Sequence, residues 1–236
     1  MHIIPIENLF IMLLPIAIVW YFYKKWTGDS VEILKATVRM SLQLMLIGYA
    51  LVFIFNNDSY WLGLSIVLFM IFAASLISLR NLENRSAREF KNIFLAILIA
   101  GSFNLYLVLE WVLNLSPLYE PRFVIPLAGM IYANAMNAVA LGGERFEKEI
   151  KRNTFDEARK ITLRASLIPQ INAFFAVGLV SLPGMMTGQI LSGVDPIIAV
   201  RYQIVVMAMV LGSAGMGVVI YLSLKKGDLE SGNKQV

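Results

Sequence analysis

The chain is 236 residues long, 58% hydrophobic and only 15% charged, with a mean hydropathy of +0.69. Soluble domains are less apolar and carry more charge, so this balance excludes a soluble globular protein. The pI near 9.3 is not a nucleic-acid signal here, because surplus Lys and Arg in a membrane protein mark its cytoplasmic loops.

No Cys is present, which removes disulfides, thiolate metal sites and cysteine nucleophiles. The single histidine, His2, cannot make a histidine metal cluster within one chain.

Several apolar runs approach the ~20 residues that cross a bilayer. The first spans 3–23, contains Pro5 and Pro15, and is closed by Lys24-Lys25. Its basic residues follow the apolar run, the reverse of a secretory signal, so it reads as a retained helix with its N-terminus outside. An amphipathic lead-in with Glu32, Lys35 and Arg39 precedes the second run, 38–55, and Asn56-Asn57-Asp58 makes a polar turn. The third run, 61–79, is followed by Arg80, Arg85, Arg88 and Lys91. The fourth, 90–113, ends near Glu110 and Trp111, before a loop with two prolines. A fifth run, 123–141, leads into a charged stretch, 142–164. The sixth, 167–191, is interrupted at Pro183-Gly184, and the seventh, 197–224, ends at Lys225-Lys226 and a polar tail.

Seven spans with the N-terminus outside and the C-terminus in the cytoplasm place all but Arg122 and Arg201 of the 20 Lys and Arg residues on one side. That asymmetry is the positive-inside pattern, and shifting the count by one helix destroys it. The sequence therefore predicts an all-α integral membrane protein with seven transmembrane helices. Residues 1–236 form a single transmembrane domain in the cell (plasma) membrane, with the bilayer as its surroundings.

Within 142–164, Thr154 suits a helix N-cap, with Asp156 and Glu157 in the first turn. Phe155, Ala158, Ile161 and Ala165 then share one face. Such an amphipathic helix suits either an anionic membrane surface or a soluble partner. In the fifth span, Met130 lies one turn above Asn134, and Asn137 points in a similar direction. Amides inside a membrane seek a partner helix or a wet cavity.

Gly129 with Ala133, and Gly184 with Gly188 and Ser192, make small-residue faces that admit a close helix. Met185-Met186 beside the Pro-Gly break are thioethers suited to soft cations, and are also ordinary apolar filler. Glu110 and Asp195 suit an exit-side carboxylate pair or simply solvated helix ends. Arg201, one turn into the last span, reaches the surface by snorkelling. The chain contains no G-x-x-x-x-G-K-[ST], no H-E-x-x-H and no Ser-His-Asp set, so neither ATP hydrolysis nor hydrolytic catalysis is expected from it, and no cofactor.

The string GLVSLPGMMTGQILSGVDPIIAVRYQI, residues 178–204, resembles the signature of FetB-type permeases, membrane subunits of ABC exporters linked to iron export. It is similar also to the plant aluminium-tolerance membrane proteins. GMIYANAM, residues 129–136, is close to a family pattern with glycine where Ala133 stands. Glu157-Ala158 followed by Leu167-Ile168-Pro169 is similar to the cytoplasmic coupling segment of ABC permeases. The family's longer ALGAT-like element is replaced here by a short charged stretch, 143–153.

The resemblance implies a homodimer of permeases served by separate ABC ATPase subunits. It implies coupling through Phe155, Asp156, Glu157, Ala158, Ile161 and Arg164 within a segment of about 142–166, and a hinge at Pro183-Gly184. A substrate path lined by Met130, Asn134, Asn137, Ser181, Met185, Met186 and Gln189 would follow, with metal ions as cargo and iron first. With no Cys and His2 as the single histidine, the chain offers poor ligation for Fe²⁺, and a polar solute such as a nucleotide sugar is the other substrate class that the amides would suit. A stand-alone cation transporter or channel and a non-transporting membrane adaptor are the alternative functions.

Overall fold

The structure, a computed structural model, describes residues 5–57 and 59–232. His2 and Asp58 lie outside the described residues. The described chain is helical, and its contacts divide it into two units, Met1–Asn57 and Asp58–Val236.

In the first unit a short helix α1 (Ile6–Leu9) passes through a 3-10 turn (Phe10–Met12) into α2 (Leu13–Thr27). Pro5 is the N-cap of α1, and Pro15 falls in the first turn of α2, where a missing N–H costs no hydrogen bond. Gly28 ends α2 in the left-handed conformation, φ +78°, with its N–H on the Lys24 carbonyl at 3.0 Å. Asp29 Oδ1 then accepts the Val31 and Glu32 N–H groups at 2.8 and 3.2 Å. Those bonds hold its carboxyl below the usual carboxylate range. The expected lead-in and second span form one continuous helix, α3 (Glu32–Phe55), since nothing in 32–38 breaks the pattern.

The second unit contains α4 (Tyr60–Arg80), α5 (Ala87–Tyr106), a π-helical continuation (Leu107–Val112), α6 (Pro121–Glu149), α7 (Phe155–Ala176), α8 (Gly184–Leu191) and α9 (Pro196–Gly232). Helix α6 is central, packing against α4, α5, α7 and α9, and α5 and α7 also meet α9. The core is built from small and branched residues: Ala96, Ile97 and Ala100 of α5, Ala128, Ile131, Ala135 and Val139 of α6, and Ala214 and Val218 of α9. Without a hydrophobic drive between helices in lipid, such side chains permit the backbone approach that makes van der Waals packing effective. Gly101 shows how close that approach is, since a Cβ there would stand 2.2 Å from the Tyr132 ring.

Among the described residues, six helices are long and apolar enough to cross a membrane. The expected sixth span, 167–191, is not one of them. It is two helices, α7 and α8, separated by residues 177–183. The break begins well before Pro183-Gly184, at Gly178 with φ +82°, and the chain curls so that the Val180 and Ser181 N–H groups both reach the Ala176 carbonyl. Pro183 closes the break as the N-cap of α8, because proline drives the residue before it out of the helical region.

The fifth span also runs further than expected. Helix α6 continues through Gly142 and Gly143 to Glu149. Both glycines are packing positions, with Cβ atoms that would stand 3.0 Å from Ser166 Oγ and from Leu82 Cδ1. The charged stretch is therefore the end of α6, a short reversal, and the start of α7.

Candidate functional site

Helices α6, α8 and α9 surround an apolar cleft of about 290 Å³. Met130 of α6 and Met185 of α8 face it together, with Pro126, Leu127, Val205 and Val206, and Arg122 and Tyr202 are its polar members. The π-helical segment contributes Val108, so an irregular stretch of α5 borders the cleft. Met130 sits near the middle of the span, because its neighbour Gly129 faces Met70, half-way along α4.

The other expected path residues are not gathered there. The Asn134 amide donates to the Met130 carbonyl at 2.8 Å, one turn back on its own helix. Asn137 and Ser181 are exposed, and Met186 is half-buried. Gln189 is half-buried, and its Oε1 is enclosed without a hydrogen-bond partner. Gln170 and Gln203, which the sequence reading passed over, share that condition at 7% and 5% exposure. A buried amide oxygen without a donor is costly, so these three positions mark where a donor is demanded inside the span.

The small-residue face of α8 is open, with nothing within 4 Å of a Cβ at Gly184 or Gly188. Ala133, where the family pattern has glycine, is exposed. Asp195 accepts the Ile197 N–H at 2.8 Å as an N-terminal cap for α9. Among the described residues, no three His, Cys, Asp or Glu side chains come together to hold a metal ion.

Helix α7 begins with a full capping box, in which Thr154 and Glu157 exchange side-chain and backbone bonds. Its apolar stripe faces inward. Phe155 stacks edge-on against Phe146 of α6 at 5.7 Å, and Ala158 is completely buried. Ile161 is half-buried, while Asp156, Glu157 and Arg164 face outward. The amphipathic pattern thus reports packing on α6, and the polar face is what α7 offers to a partner. Asp156 makes an ion pair with Arg159 at 3.0 Å.

The end of α6 is clamped to the α4–α5 loop. Glu147 accepts the N–H groups of Glu83 and Asn84 at 2.9 and 3.0 Å, and Lys151 pairs with Glu83 at 2.7 Å. The Lys151 ammonium holds the Glu83 carboxyl below its usual range.

A second cluster escaped the sequence reading entirely. Glu89, in the first turn of α5, is 2% exposed and receives the Tyr221 hydroxyl and, at 2.7 Å, the Lys225 ammonium of α9. Nearby, Asn92 donates to Asp228 at 2.7 Å. The available signal was Ser86-Ala-Arg-Glu89, a capping pattern that Ser86 fulfils by accepting the Glu89 N–H.

The family model described as uncharacterised protein family UPF0014 matches residues 6–228. The chain belongs to that family. Among relatives of this UPF0014 chain, the probable iron export permease protein FetB of Escherichia coli is 36% identical over 95% of the chain and 93% of its own length. UPF0014 membrane protein slr1647 of Synechocystis is 34% identical over 79% of each chain. Protein ALUMINUM SENSITIVE 3 of Arabidopsis thaliana is 34% identical over 78% of this chain and 71% of its own length. No solved structure matches. The UPF0014 chain is a multi-pass protein of the cell membrane, of a family with a named permease among its members.

Proposed function

We propose that this chain is the membrane-spanning permease subunit of an ABC exporter, working as a homodimer on ATP hydrolysed by separate subunits, with metal ions and iron first as cargo. The observation that carries this reading is the 36% identity, over 95% of the chain, to a protein named a probable iron export permease.

In this reading α7 and α8 together form one broken crossing, the seventh beside the six long helices of the described residues. The N-terminus then lies outside and the C-terminus in the cytoplasm, together with the α6–α7 reversal, as the distribution of Lys and Arg requires. The outward residues Asp156, Glu157 and Arg164 meet the ATPase. Phe155 and Ala158 tie that helix to α6, so a pull on α7 moves both. The motion travels past Pro169 to the break at 177–183, and from there to α8, which carries Met185 into the cleft beside Met130. Irregular backbone within the span is where a transporter opens a path without unfolding whole helices. The cleft's thioethers give a transient foothold of the weak kind that passage needs.

Co-expression with the cognate ATPase tests this reading. Arg164→Glu and Glu157→Lys are expected to abolish co-purification while leaving membrane insertion intact. Undiminished association would refute docking on α7, and cation flux without ATP would favour a stand-alone transporter.

A further inference from the structure

We propose that a cleft between α7 and the last turns of α9 is a binding site for an anionic phospholipid. The inference rests on the membrane embedding of the bundle and stands independently of ABC coupling.

A Cβ at Gly215 would stand 3.8 Å from Leu167 Cδ1, and Phe155 and Lys226 border one cleft, so α7 runs antiparallel beside α9 with its first turns level with the end of the apolar run at Leu224-Lys225-Lys226. At that level the two helices border a cleft of about 720 Å³. Helix α9 offers Val219, Leu222, Ser223 and Lys226, spaced as one helical face. Helix α7 offers Phe155, Asp156, Arg159, Lys160 and Leu163. The cleft therefore has an apolar wall and a rim of three cations with one carboxylate. Arg159 is held at the rim by its pair with Asp156 at 3.0 Å and by the Phe155 ring at 6.0 Å.

This combination is peculiar to the boundary between hydrocarbon and water. Val219 is 48% exposed, at the end where lipid acyl chains give way to headgroups. A phosphate among Arg159, Lys160 and Lys226, with acyl chain along Val219, Leu163 and Leu222, satisfies both halves of the cleft. Basic pockets between helices at the cytoplasmic surface take anionic headgroups in this way. A protein partner suits the cleft less well, because half-exposed Val219 belongs to the membrane-length apolar run of α9, where acyl chains are the expected neighbours. Glu157 and Arg164, three residues before and four after Lys160, border the rim on its outward side, and Asp156 is common to the rim and the outward face.

The purified full chain, titrated with phosphatidylglycerol or phosphatidylcholine and read by native mass spectrometry, tests the site. The wild type is expected to prefer phosphatidylglycerol, and Arg159→Gln with Lys160→Gln to weaken that preference about 25-fold, roughly fivefold for each charge removed near the surface. Arg159→Lys with Lys160→Arg keeps the charges and should keep the preference, and Lys24→Gln with Lys25→Gln, on α2, should leave it unchanged. Ser223→Trp fills the cleft without altering its charge and should also abolish retention, which decides the matter if the double glutamine variant does not fold. Equal binding of the two lipids by the wild type would overturn the proposal. So would unchanged preference in Ser223→Trp, or loss of ATPase association in the glutamine variant with lipid preference intact.

Discussion

The Glu89–Lys225 pair provides the sharpest energetic test, because its members lie far apart in sequence and their removal has opposite consequences singly and together. Lys225 Nζ is 2.7 Å from Glu89 Oε2, at 14% and 2% side-chain exposure, and the Tyr221 hydroxyl donates to the other carboxylate oxygen. Removing one partner of a buried pair leaves an uncompensated charge and costs ~3–5 kcal/mol, whereas replacing both with apolar groups of similar volume is often neutral.

Lys225→Met leaves the Glu89 carboxylate with only the tyrosine, and Glu89→Leu leaves the ammonium and hydroxyl without an acceptor. Each single variant should lower the midpoint of thermal unfolding in detergent by roughly 6–20 °C, taking about 2–4 °C for each kcal/mol in a chain of this size. The double variant should recover most of that loss. Single shifts under about 2 °C, or a double variant that simply adds the two losses, would refute the assignment of this cluster as the joint between α5 and α9.

Further outcomes follow from the same contacts. Gly101→Ala would bring a Cβ to 2.2 Å from the buried Tyr132 ring, so it should cost about 1–3 kcal/mol, and Tyr132→Leu in the same chain should recover part of it in a thermal melt. Ala158→Asp places an unpaired carboxyl at a fully buried position of α7 and should abolish the folded species on size exclusion. Exposed Arg164→Glu should leave the melt within about 0.5 kcal/mol of wild type. The Glu83 carboxyl should titrate below the ordinary range for a glutamate because Lys151 stabilises its charged form. A depressed folded pKa means that this contribution is present above the unfolded pKa and is lost as pH falls through the folded one. Carbonyl NMR should show the Glu83 midpoint rising toward the ordinary value in Lys151→Gln.

Much of this architecture is legible in the sequence because membrane-length apolar runs and their basic flanks are strong signals. The runs beginning near 38, 61, 90, 123 and 197 all lie within long helices. What the sequence hid has three physical causes. Gly142 and Gly143 look like a helix end, yet they are the places where α7 and Leu82 come close, which only tertiary structure reveals. The apolar face of α7 marks burial without saying against what, and the answer is Phe146 of the same chain. Glu89 and Lys225 read as ordinary flanking charges because nothing local links positions so distant. At the candidate path, Met130 and Met185 line one cleft, whereas Asn134 turns back on its own helix. Helical spacing fixed a direction for that amide but not the closer acceptor that it finds.

We propose that ATP hydrolysed on a separate subunit drives transport through this chain. The most direct test is ATP turnover and Fe²⁺ movement in proteoliposomes holding the chain with its ATPase. Turnover stimulated by the metal is expected, with transport abolished both by omission of ATP and by Arg164→Glu. Metal flux that proceeds without nucleotide, or turnover that is indifferent to the presence of this chain, would contradict it.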